Sequence, residues 1–213
     1  ELGGEPKTEM WFIAQAAPGA ELFVGLKRGV TRAEFETKIK NGTVADCFHR
    51  IKVKSGDAIF LPSGRVHAIG AGLIIFEIQQ NSDTTYRVFD WNRLDTKGKS
   101  RELHIEQSLS SIDFNDFEPM VFSAQPFRRD GLTTRPLARD PLFSVDVCET
   151  SSNLELPSGV LQIIGVVEGN LAAEYRENKI ALAAGNFCLV PAHLENVRLH
   201  INSPVSFLQI RAS

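Results

Sequence analysis

The chain has 213 residues, enough for one large domain or two small ones, and its 43% hydrophobic content supports a sizeable core. A formal net charge of −3, with both signs mixed along the chain, suggests neither nucleic acid nor an anionic membrane surface as a partner. No apolar run is long enough to span a bilayer, no signal-peptide pattern is present, and Cys47, Cys148 and Cys188 form no C-x-x-C site, so a cytoplasmic protein with reduced thiols is expected.

Residues 7–14 predict a strand, and 20–24 a second that ends at Gly25. A helix follows. Thr31 is its N-cap, Glu34 completes a capping box, Phe35 and Ile39 share a face, and Asn41-Gly42 ends it. Strands are expected at 48–53, 58–61, 66–69, 73–79 and 86–90, and a second helix at 102–110. Residues 117–142, rich in Pro, Arg and Asp, read as an extended connector. A second β-rich block runs from 143 to 213, with strands at 160–168, 170–176, 179–183, 186–191 and 205–211. Residues 55–62 (SGDAIFLP) echo residues 184–191 (AGNFCLVP), each placing a glycine six residues before a proline across an apolar strand. Five residues after Pro62 comes His67, whereas five after Pro191 comes Asn196. The second copy therefore reads as structural.

The run from Gly56 to His67 has the spacing G-x5-P-x-G-x2-H. Two turns flank a short strand, and His67 opens the next strand between rigid neighbours, which presets an imidazole as a metal ligand. Upstream, alternation puts Lys7, Glu9, Trp11 and Ile13 on one face. If that face points inward, a lysine and a carboxylate are buried and need partners. If the strand is flipped, Met10 and Phe12 are inside and Lys7 and Glu9 are on the surface; alternation alone permits both. Residues 79–86 are a polar connection at one rim, and Asp83 and Arg87 can share a face or form an ion pair.

The G-x5-P-x-G-x2-H run resembles the second motif of the cupins. The segments KTEMWFIA, LPSGRVHAIGAGLIIFEIQQNSDTTYRVFDWNR and RELHIEQ resemble type I mannose-6-phosphate isomerase in its shorter bacterial form. That resemblance implies an all-β fold of double-stranded β-helix (cupin) barrels, a bicupin with a few short helices. It assigns residues 1–116 to a metal-binding catalytic barrel, 117–142 to the connector and 143–213 to a degenerate second barrel. It implies a zinc-dependent enzyme, one ion per complete chain, interconverting mannose 6-phosphate and fructose 6-phosphate through an enediol. On the family's motifs Glu9 and His67 match zinc ligands, Arg87 and Lys7 active-site residues, and Asp83 the aspartate four residues before the arginine. For the substrate phosphate the available cations are Arg87, Arg93, Lys97, Lys99 and Arg101. The family draws two further ligands from a Q-x-H-P segment upstream of K-[TP]-E, and no such segment lies between Glu1 and Lys7. A fragment or a reduced homologue is expected, with weak or absent zinc on these residues alone, and His49 is not expected to substitute. The alternative is a non-catalytic sugar-binding or regulatory bicupin without a metal. A cupin dioxygenase needs a histidine-rich iron site that this sequence lacks.

Overall fold

The computed structural model describes residues 4–122 and 124–212. The chain divides into two compact units, residues 1–122 and 123–213. Among the described residues both are built mostly from β-strands, with two short helices, both in the first unit. No helix is long and apolar enough to cross a membrane.

Unit 1 contains β1 (Glu9–Ala16), β2 (Glu21–Leu26), α1 (Arg32–Lys40), β3 (Phe48–Lys52), β4 (Ala58–Leu61), β5 (His67–Ile69), β6 (Leu73–Gln79) and α2 (Ile105–Ser111). Its two sheets have the orders β4-β1-β6 and β3-β2-β5. One core cluster joins Trp11, Ile13, Leu22, Val24, Ile59 and Leu61. A second gathers around Phe35, the buried residue of α1, with Leu26, Val44 and Phe48. The α1 cap forms as its sequence dictates, because Thr31 Oγ1 accepts from the Glu34 N–H at 3.2 Å. The Glu34 side chain pairs with Lys38 on the next turn.

Unit 2 contains β7 (Phe127–Arg129), β8 (Leu132–Arg139), β9 (Phe143–Thr150), β10 (Leu154–Glu155), β11 (Gln162–Glu168), β12 (Asn170–Tyr175), β13 (Asn178–Ala183), β14 (Phe187–Val190), β15 (Arg198–His200) and β16 (Val205–Ala212). The sheet orders are β14-β11-β16-β9-β8-β7 and β10-β15-β12-β13.

Three expectations are corrected. Residues 117–142 are not a plain connector. Phe117 and Phe122 bridge to Leu26 and Ala58 in unit 1, and β7 and β8 pair in unit 2. Pro136 disguised β8; it sits where the β8–β9 register shifts, a place where a missing N–H is tolerated. Residues 86–90 form no strand, and the second helix begins at Ile105 rather than at 102.

The glycine–proline echo is a structural repeat. The Gly56 N–H donates to the Ile13 carbonyl at 2.8 Å, and the Ile13 N–H to the Asp57 carbonyl at 2.9 Å. In unit 2 the Gly185 N–H donates to Val166 at 2.9 Å, and the Val166 N–H to Asn186 at 3.0 Å. Both glycines have φ near +85°, which a side chain resists. The Asp57 side chain accepts from the Lys54 N–H at 3.0 Å, and the Asn186 side chain from the Ala183 N–H at 3.0 Å. Beyond the turn, β1 lies between β4 and β6 as β11 lies between β14 and β16. The pairing Glu9↔Leu61, just before Pro62, becomes Gln162↔Val190, just before Pro191. Position 9 therefore corresponds to position 162.

Candidate active site

Both faces of β1 are buried, since Met10, Trp11, Phe12 and Ile13 are each no more than 3% exposed. Sequence alternation was ambiguous because there is no solvent face to oppose an inner one. Glu9 lies on the Trp11 and Ile13 side and is itself only 2% exposed. Its carboxylate has three neighbours. Lys7 Nζ is 3.1 Å from Oε1, Trp11 Nε1 donates to Oε2 at 3.1 Å, and His67 Nε2 lies 3.6 Å from Oε2.

His67 stands at the start of β5, behind a turn pinned from several directions. The Arg65 guanidinium grips both Asp116 oxygens, at 2.7 and 2.8 Å, and donates to the Phe60 carbonyl at 2.6 Å. The Asp113 N–H donates to the Gly64 carbonyl at 3.0 Å. Gly64 has φ +93°, and a Cβ there would stand 3.0 Å from the Ser111 carbonyl. The Arg65 carbonyl lies 2.8 Å from His67 Nδ1, and a carbonyl oxygen only accepts. Nδ1 therefore carries the proton, and in the neutral ring Nε2 is left with its lone pair toward Glu9. The Trp11 ring meets the imidazole edge-on at 5.0 Å.

A lone pair opposite a carboxylate oxygen is repulsive unless a cation or proton lies between them. Such a pair can serve as two metal ligands, one oxygen and one nitrogen, and closes as an ion pair when the imidazole is protonated. The pair fits zinc as part of a ligand set. Among the described residues no group of three or more His, Cys, Asp or Glu side chains comes together to complete it.

Glu9 and His67 open onto a cavity of about 590 Å³ that Lys7, Glu77, Arg87 and Trp91 also line. Four of the five residues singled out by the sequence are thus brought together. Arg87 Nη1 donates to the Glu102 carbonyl at 3.3 Å, and the Arg87 N–H to His104 Nδ1 at 3.3 Å. Asp83 is not among the lining residues; it is exposed, and no ion pair joins it to Arg87 among the described residues. The irregular path of 80–90 removes the strand alternation on which that pairing rested. His49 does not line the cavity either. Sequence reasoning missed Glu77, which faces Trp11 across the β1–β6 pairing and stands 3.9 Å from Lys7 Nζ. Its alternation with Ile75 and Gln79 along β6 was the usable signal. The Arg65–Asp116 pair spans 51 residues and has no local signal.

In unit 2 the matching position holds an amide, not an acid. Gln162 is fully buried, and its Nε2 donates to the Pro157 carbonyl at 2.6 Å. Its Oε1 accepts from Gln209 Nε2 at 2.6 Å, and Gln209 Oε1 accepts from Arg211 at 2.6 Å. Arg211 also donates to Asp146 at 2.9 Å. Five residues after Pro191, the spacing that puts His67 after Pro62, stands Asn196, in the left-handed region at φ +60° and outside β15.

Fold and site together define a β-sheet protein with a polar cavity in one repeat and a self-contained polar network in the other. No protein-family model matches the chain. It is 36% identical over 200 residues to "Mannose-6-phosphate isomerase ManA" of Bacillus subtilis, covering 93% of this chain and 62% of the relative. It is 34% identical over 192 residues to the mannose-6-phosphate isomerase of Streptococcus mutans, covering 90% and 59%. The crystal structure of the mannose 6-phosphate isomerase from Bacillus subtilis superposes with a TM-score of 0.85 at 29% identity, covering 99% of this chain and 66% of that one. The chain is a homologue of proteins named mannose-6-phosphate isomerase, and it spans about three fifths of the length of the curated relatives it matches.

Proposed function

We propose that the protein is a metal-dependent isomerase interconverting mannose 6-phosphate and fructose 6-phosphate through an enediol. The observation that carries this is the facing pair of Glu9 Oε2 and His67 Nε2 at 3.6 Å, with His67 Nδ1 committed to a carbonyl, inside a cavity shared with Lys7 and Arg87. The names of the relatives support it. Zinc would be held by Glu9 and His67 with further ligands, and would supply Lewis-acid polarisation of the sugar oxygens. Arg87 offers a fixed fork of donors to an oxygen that gains charge as the C2 proton leaves. Lys7, held by Glu9, is placed to carry a proton between C1 and C2. Asp83 takes no part in the cavity as it stands, so a role for it is confined to supporting the loop before Arg87.

As part of the same proposal, the two units are cupin barrels, a reading supported by the recurrence of turn, pairing order and register. The three unpaired thiols support a cytoplasmic location. A non-catalytic sugar-binding protein is the second reading, favoured because among the described residues no group of three or more His, Cys, Asp or Glu side chains comes together. The test is interconversion of the two sugar phosphates by the protein as expressed from its own gene, with and without a chelator. The expected result is turnover that the chelator abolishes and zinc restores. Turnover untouched by prolonged chelation overturns the metal assignment, and absence of turnover by zinc-loaded protein favours the sugar-binding reading.

A further inference from the structure

The cavity wall contains a strained corner that the isomerase chemistry has not used. Trp91 and Asn92 are consecutive non-glycine residues in the left-handed region, at φ +51° and +53°. Such backbone persists only where its surroundings over-determine it, and it clusters at ligand sites. Here the Trp91 ring packs against Phe23 at 5.4 Å and Phe89 at 5.5 Å, the Asn92 amide donates to the Gly42 carbonyl at 3.4 Å, and the Arg93 N–H donates to the Asp90 carbonyl at 3.0 Å. The corner brings Asp90, Trp91 and Arg93 to the cavity, where Arg101 joins them.

Asp90 is only 7% exposed, and its Oδ1 is contacted by Arg93 and, at 3.9 Å, by Arg101. Its Oδ2 is buried without a hydrogen-bond partner. The Arg93 hydrogen bond holds the carboxyl below the usual carboxylate range, and the charges of Arg93, Arg101 and Arg87 act in the same direction. Two guanidiniums thus contact one carboxylate, and Arg87 acts on it from farther off, so the cations of this wall outnumber its acid. The acids Glu9 and Glu77 belong to the Lys7 end of the same cavity. A phosphate monoester carries about −1.5 to −2 at neutral pH and takes guanidinium donors in pairs. Lys97 and Lys99, which also looked available from sequence, do not line the cavity. Their N–H groups close a turn on Asp95.

We propose that Arg93 and Arg101, held side by side by Asp90, form the phosphoryl-binding subsite of this cavity, with the Trp91 ring as the apolar surface beside it. This rests on the isomerase reading for the identity of the sugar phosphate. Asp90 anchors Arg93 by a hydrogen bond and draws Arg101 to 3.9 Å, so the two cations are gathered before the anion arrives.

The experiment measures binding of mannose 6-phosphate, mannose and inorganic phosphate to wild-type protein and to Arg101→Gln and Arg93→Gln/Arg101→Gln variants. Arg101 is 58% exposed, so its replacement leaves the Asp90–Arg93 pair and the fold in place. Losing one charge-assisted contact weakens binding about 10-fold or more. Expected are such a loss for mannose 6-phosphate in Arg101→Gln, a larger one in the double variant, a parallel loss for inorganic phosphate, and unchanged binding of mannose. Mannose 6-phosphate affinity within threefold of wild type in the double variant overturns the proposal. An equal loss for unphosphorylated mannose also overturns it, because the arginines then only shape the cavity. Arginine-dependent binding without turnover leaves the subsite standing and counts against the isomerase reading alone.

Discussion

The two units share one turn and one three-strand pairing order, and they treat their buried polar groups differently. In unit 1 position 9 is a buried carboxylate that is paired with Lys7 and Trp11, and its second oxygen also faces His67 Nε2 at 3.6 Å on the wall of a cavity. In unit 2 position 162 is a buried amide whose oxygen and nitrogen are both used by its own neighbours. One unit sets its polar residues on an open cavity, where a ligand can reach them. The other encloses its amide in a network with Gln209, Arg211 and Asp146. A shared supersecondary unit thus says little about chemistry. What separates a site from a core is whether the buried polar atoms are satisfied without a guest.

The largest effect should come from the open unit. Arg87→Lys keeps the charge but loses the planar fork, and kcat in the isomerase assay should fall about 10²-fold, the scale of one preorganised donor. Zinc content and thermal unfolding should be unchanged; near-normal turnover would show that Arg87 serves only to tie its loop to Glu102 and His104. The closed unit should respond in stability instead. Gln162→Glu sets a buried carboxylate against the Pro157 carbonyl and should cost about 2–3 kcal/mol in denaturant unfolding. A neutral result would mean that the network has slack and that the two units differ less than their hydrogen bonds imply.

The shared turn offers a smaller and symmetrical test. Asp57→Ala and Asn186→Ala each remove a side-chain acceptor from the equivalent backbone N–H and should each cost about 1 kcal/mol. Losses that differ severalfold would break the equivalence of the turns. Smallest is a labelling difference. Burial, aided by the charge of Asp146, pushes the Cys148 thiol up to about 12, so at pH 8 it stays protonated and slow toward thiol reagents. The less buried Cys188, raised by burial alone, should label first of the two unit 2 thiols.

Much of this contrast was legible in the sequence where the signals were local. The α1 cap, the strands β4 and β6, and the glycine–proline echo all rest on neighbours in the chain. Four of the five predicted site residues share one cavity because Lys7 and Glu9 alternate into β1 and His67 follows a fixed turn. Strand β8 was hidden because Pro136 looks like a breaker until the register shift is visible. Asp83 shares a face with Arg87 only if the chain between them is extended and 86–90 is a strand, whereas 80–90 forms no strand. The Arg65–Asp116 clamp, the strained Trp91 corner and the Gln162 network depend on distant partners, and composition carries no trace of them.

The most direct test gives unit 1 the residue of unit 2. Glu9→Gln preserves size, and the amide oxygen can still accept from Trp11 Nε1, so the fold should survive. Zinc affinity should be measured by chelator competition in the protein as expressed from its own gene. The account predicts a loss of more than about 100-fold, with turnover of mannose 6-phosphate lost in step. Unchanged zinc affinity and turnover in Glu9→Gln would contradict it, for then the carboxylate facing His67 would be no more a ligand than the amide of Gln162.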